Sequence, residues 1–178
     1  QYDRPMTVRE RLLRAATELI AEKGWGAVST RMLADRAGVG SGVVHYHFDS
    51  TQAVLVQAAV GALRTAVNGL GPVLDQADTP SDALELLLGA LDGQGGQELF
   101  TETFLAATRN DELRHAVAEV LVEFRRTLAA WLASRDVPTP LETAAVLAAA
   151  VDGVLLHRAL SPDLSADVVV PVLGRVLR

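Results

Sequence analysis

The run RMLADRAGVGSGVVHYHF, residues 31–48, constrains the fold more than any other stretch of the chain. It holds two short helical patterns on either side of a glycine turn. Leu33 and Ala37 stand four apart and share one face of the first helix. Ala34 is small enough to let a second helix cross closely. Ser29 is placed to cap the first helix, because its hydroxyl can accept an orphan N–H of the opening turn. Gly38 can take the left-handed conformation that ends that helix. Ser41 is placed to cap the second, which turns Val44 inward and ends near Phe48. This is a helix-turn-helix pattern, a unit that sets one helix into the DNA major groove.

Helices this short bury too little to stand alone, so a third must cover them. It lies upstream. Thr7 and Glu10 have the spacing of a capping box. Leu12, Leu13, Ala16, Leu19 and Ile20 then recur at helical spacing. Gly24 and Gly26 stop that helix on either side of Trp25, giving a three-helix unit over residues 7–48.

Taken in order, the capped helix, EKGWGAVST, RMLADRAGVGSG and VVHYHFDS resemble the N-terminal domain of the TetR family of transcriptional regulators, over about residues 8–54. The resemblance implies an all-α fold of about nine helices. Residues 1–50 would be the DNA-binding domain, and residues 51–178 a helical ligand-binding and dimerisation domain. It implies that Thr30 and Arg31 meet the DNA backbone at the start of the first motif helix. Ser41, Gly42 and Val43 would open the recognition helix against base edges. His45, Tyr46 and His47 would touch phosphate or thymine methyls. Three positions depart from the family pattern: Val43 for a common threonine, His45 for a common tyrosine, and Thr51 for the lysine that usually meets a phosphate. The first two suggest a private operator, and the third weaker phosphate binding, offset by Arg9 or a helix dipole. A His45–His47 metal pair is disfavoured, since residues two apart point about 200° apart on a helix.

The net charge of −6 looks wrong for a DNA-binding chain until it is divided. Residues 1–50 hold seven Lys/Arg against six Asp/Glu, while residues 51–178 hold nine against sixteen. The acidic excess thus lies away from the motif, and its field is screened beyond about 8 Å at physiological salt. Arg4, Arg9, Arg11, Arg14, Arg31 and Arg36 form a modest positive patch, so dimerisation should matter for affinity. Without cysteine, the chain has no disulfide and no thiol chemistry. No signal peptide opens it, and no apolar run reaches membrane-spanning length without interruption by charge or proline, so a cytoplasmic location without membrane partners is the expectation. Neither a metal nor a cofactor is expected. The chain starts at Gln1, which leaves room for a missing basic arm.

The second region reads as helices over 51–70, from Ser81, and over 98–109, 111–134, 141–160 and 166–178. Asp49 or Ser50 is placed to cap the first, and Gly69, Gly71 and Pro72 to end it. The Gly-rich stretch 93–96 reads as a loop with no phosphate-cradle pattern. The segment 141–160 is apolar on nearly every side, which requires burial on more than one side. By resemblance, the last two helices (141–160 and 166–178) would form a homodimer, presenting two recognition helices to a pseudo-palindromic operator. The family's pocket positions fall on Phe100, Thr103, Phe104, Phe124, Trp131, Asp152 and Leu155, implying a small, largely apolar effector that releases DNA. Glu102, Arg109, His115 and His157 are further polar candidates. No nucleophile–base pair, HExxH or paired carboxylates favours an enzyme. The alternative to a ligand-responsive repressor is a helical adaptor that has lost specific DNA binding.

Overall fold

The computed structural model describes residues 4–89, 95–158, 160–161 and 163–175. Among these the chain is helical, with no strand. Helix α1, Val8–Lys23, starts at a complete capping box: the Thr7 N–H donates to Glu10 Oε2 at 2.7 Å, and the Glu10 N–H donates to Thr7 Oγ1 at 3.2 Å. The Thr7 N–H, and then the Thr7 hydroxyl donating to Glu10 Oε2 at 2.9 Å, hold the Glu10 carboxyl below its ordinary value. Gly24, at φ +81°, ends α1 and leads into a single 3₁₀ turn, Trp25–Ala27. Helix α2, Thr30–Ala37, is capped by Ser29 and closed by Gly38 in the left-handed conformation. Helix α3, Ser41–His47, differs from expectation at its start. Gly40 is the N-cap and no side chain caps it. Ser41 is already the first helical residue, one place too far along to accept an orphan N–H of its own turn.

Helix α4, Thr51–Asn68, is capped by Ser50. The chain does not stop at Gly71 and Pro72. It passes through a turn at Gly69 into α5, Leu70–Leu74, because a proline in a first turn lacks an N–H that would have had no partner there anyway. Helix α6, Pro80–Gly89, begins one residue before Ser81, and the capping group is Thr79, whose hydroxyl accepts the Asp82 N–H. Helix α7 is Gly96–Ala107, with Gly95 left-handed at its cap. Helix α8 is Asp111–Ala133 and α9 is Pro140–Arg158. Helix α10, Ala166–Leu173, contains Pro171 within it. The expected extension to 178 ends outside the described residues, as do positions 93 and 94 of the glycine-rich stretch. With Thr51–Leu74 counted as one helix, the described residues form the nine helices expected.

Two main cores result. Leu12, Ile20, Leu33, Val44 and Phe48 pack with Val54, Leu55, Ala58 and Ala59 of α4. Leu84, Leu88, Leu128, Leu132, Leu147 and Leu155 form the second, with Trp131 donating its Nε1–H to the Leu74 carbonyl at 2.9 Å. Helix α4 joins them, since its Val56 and Val60 turn instead toward Val117 and Val120 of α8. Thr51–Leu74 and Pro140–Arg158 are long and apolar enough to cross a membrane by length and mean hydropathy, each with the interruptions expected, Arg64 and Pro72 in the first and Asp152 in the second.

Candidate functional site

Helix α3 buries Val44 and leaves Ser41, Gly42, His45 and Tyr46 exposed. Positions 42, 45 and 46 share one helical face, so a single surface points outward. Tyr46 is 85% exposed, large for an aromatic side chain without a partner in the protein's interior. His47 and Val43 are half-buried on the flank, and the His47 ring stands edge-on to Tyr46 with centroids 5.1 Å apart. Arg31 is exposed and meets Asp35 at 3.7 Å. Thr30 and Thr51 meet each other: their hydroxyls are 2.5 Å apart, tying the start of α2 to the start of α4.

The positive patch is more neutralised than its count suggests. Arg4 pairs with Glu10 and Arg14 with Glu18, and Arg36 is held between Glu18 and Glu22. Arg9 hydrogen-bonds Gln57 and lies over the Phe48 ring at 5.2 Å. Exposed pairs of this kind are worth little, so a phosphate can replace Asp35 at Arg31 at small cost.

A half-enclosed cavity of about 290 Å³ lies in the C-terminal region. Its wall comes from Leu63, Thr65, Ala66 and Val67 of α4, Leu70 and Val73 of α5, and Phe100 and Phe104 of α7. Val117, Val120, Leu121 and Phe124 of α8 and Val151 and Asp152 of α9 complete it, with Leu87 and Gly69. The Phe100 and Phe104 rings are 4.3 Å apart. Of the seven expected pocket residues, Phe100, Phe104, Phe124 and Asp152 line this cavity. Thr103, Trp131 and Leu155 do not: each faces the packed interior, and the Thr103 hydroxyl donates to the Leu99 carbonyl at 2.6 Å. The α4 and α5 wall was missed from sequence. Gly69, which links α4 to α5 and lines the cavity, is visible in the sequence only as a helix stop.

Among the described residues, Asp152 is the one charged side chain in the wall. Burial pushes its carboxyl up to about 6, and the nearby Arg125 charge pulls it only partly back. Glu102, by contrast, faces away from the cavity. Its Oε2 accepts the Trp25 N–H at 2.8 Å, and a Cβ at Gly24 would come within 3.2 Å of that oxygen. Helix α7 therefore has Phe100 and Phe104 in the cavity wall and Glu102 fastened to the end of α1. Arg109, His115 and His157 are exposed and stand outside the cavity wall. Among the described residues, no group of three His, Cys, Asp or Glu gathers as a metal site.

The description "Bacterial regulatory proteins, tetR family" matches residues 12–58, and "Tetracyclin repressor-like, C-terminal domain" matches residues 74–178. The HTH-type transcriptional repressor KstR2 of Mycolicibacterium smegmatis is 30% identical over 80 residues, 45% of this chain and 39% of that protein. The chain thus matches well under two-thirds of that repressor. A crystal structure described as a transcriptional regulator of Streptomyces coelicolor A3(2) superposes with a TM-score of 0.78 at 29% identity, covering 96% of this chain and 98% of that one. The multidrug binding protein EbrR, complexed with imidazole, superposes with a TM-score of 0.74 at 30% identity, covering 98% and 97%.

Proposed function

The chain belongs to the TetR family of bacterial regulatory proteins, and we propose that it is a ligand-responsive repressor that binds a pseudo-palindromic operator as a homodimer. It is a transcriptional regulator with a DNA-binding domain, not an enzyme. Residues 1–50 read the operator and residues 51–178 sense an effector and dimerise, in the cytoplasm where operator DNA lies.

The observation that carries the reading is the outward face of α3, with Tyr46 exposed above a fully buried Val44. Ser41, Gly42 and Val43 meet base edges, and His45, Tyr46 and His47 touch phosphate or thymine methyls. Arg31 reaches a phosphate. Thr30 and Thr51 present the linked starts of α2 and α4 to the backbone, where helix N-termini favour anions. Dimerisation is supported by exposed apolar side chains on the last two helices: Leu141 and Val146 on α9, Val168 and Val172 on α10. A second copy covering them would set two α3 helices about one DNA turn apart.

The cavity supplies the switch. EbrR holds imidazole, and a small, largely apolar effector here would press on Phe100 and Phe104. Glu102, on the same helix, would carry the shift to Trp25 and the end of α1. The effector needs only to prefer the DNA-incompetent arrangement. Selection from random duplex DNA at a stated salt concentration tests the proposal. An enriched inverted repeat, lost with Tyr46→Ala, is the expected result. No enrichment even at low salt would return the reading to a helical adaptor.

A further inference from the structure

We infer that the effector is a small apolar cation, a protonated amine or a quaternary ammonium, with Asp152 as its counter-ion. This deepens the reading of the cavity as an effector site and rests on it. The wall is hydrocarbon apart from Thr65 and Asp152, and the Thr65 hydroxyl is already committed to the Gly61 carbonyl at 2.9 Å. The Asp152 carboxyl makes no hydrogen bond or ion pair among the described residues. A charge held in an apolar site without a partner is costly, so its persistence calls for a complement.

Arg125 of α8 is the charge nearest in effect, but it does not line the cavity and no ion pair joins the two side chains. Its Nε is itself buried without a partner. No charged side chain from α4, α5, α6 or α7 lines the wall. An anion entering the cavity would meet Asp152 directly. A neutral apolar molecule would seal an uncompensated carboxylate away from water. An apolar cation resolves both problems, and the rings of Phe100, Phe104 and Phe124 can accept its charge over their faces. The volume limits its size, since 290 Å³ corresponds to roughly ten water-sized groups.

The carboxyl, pushed up to about 6 by burial and drawn partly back by Arg125, is largely ionised at neutral pH and becomes neutral in mild acid. A permanent cation should therefore bind less well as the solution is acidified.

Titration calorimetry on the full chain tests this with benzyltrimethylammonium and its uncharged carbon isostere, neopentylbenzene. The cation should bind at about pH 7.5, and Asp152→Asn, which keeps the side chain's size, should weaken it about tenfold or more. Acidification to about pH 5 should weaken it in the parent protein and not in the variant. The isostere, which would seal the bare carboxylate from water, should bind the parent weakly and Asp152→Asn better. Equal binding of cation and isostere, or a cation affinity untouched by Asp152→Asn, would overturn the charge assignment while leaving an effector cavity in place. If neither probe binds, the charge assignment and the cavity reading both fail.

Discussion

From Thr7 to Ser50 the molecule is punctuated locally: Thr7, Ser29 and Ser50 cap helices with their own hydroxyls, and Gly24 and Gly38 end them at positive φ. Around the cavity the wall is assembled from α4 through α9, so that Leu63 and Asp152, far apart in sequence, line the same space. The charges differ in the same way. In the N-terminal unit Arg4, Arg14, Arg31 and Arg36 sit beside carboxylates supplied within one or two helices. In the cavity one carboxylate stands without an ion pair. The first region is therefore organised for a rigid shape, and the second retains an uncompensated group whose cost a bound molecule can relieve.

The largest expected effect comes from disturbing the rigid end. Leu33 is completely buried, and Leu33→Ala should destabilise the protein by about 2–5 kcal/mol in urea unfolding. Val117 borders the cavity, so Val117→Ala should cost about 1 kcal/mol or less, because part of its surface has no neighbour to lose. Equal costs would break the contrast.

Asp152→Asn should do the opposite and stabilise. A carboxyl with a raised folded value binds its proton more readily when folded, so stability falls as pH rises from about 3.8 to about 6. The gap between those values is worth at most about 3 kcal/mol. Solvent reaching the half-enclosed cavity reduces it to about 1–2 kcal/mol. The variant should melt higher at neutral pH, and its advantage should vanish near pH 4.

Glu102→Ala should cost about 1–2 kcal/mol by leaving the Trp25 N–H without its acceptor, and it should reduce any effector-driven change in DNA affinity. Glu102→Gln, which keeps an acceptor, should restore most of both. Thr7→Ala should cost about 1 kcal/mol through the lost cap. It should leave effector affinity unchanged, which titration against benzyltrimethylammonium can check.

The same contrast explains what the sequence disclosed. Caps and glycine stops act over three or four residues, so α1, α2 and the turn at Gly38 were legible to within a residue. Ser41 misled because glycine at position 40 serves as an N-cap without any side chain. The cavity was legible only where an unusual residue betrayed itself: Asp152 in an apolar helix, and the phenylalanines in an aromatic-poor chain. Trp131 and Leu155 were equally apolar on neighbouring helices, and which way they turned depended on helix rotation that no local signal encodes. Glu102 resembled any half-exposed glutamate until α7 was placed against Trp25.

The central claim is that the state of the cavity is read at α3. The direct test is the affinity of the full chain for its selected duplex, at fixed salt, with and without benzyltrimethylammonium. Weaker DNA binding in the presence of the cation is expected, with a much smaller effect in Asp152→Asn. Saturation of the cavity by the cation with no change in DNA affinity would contradict it.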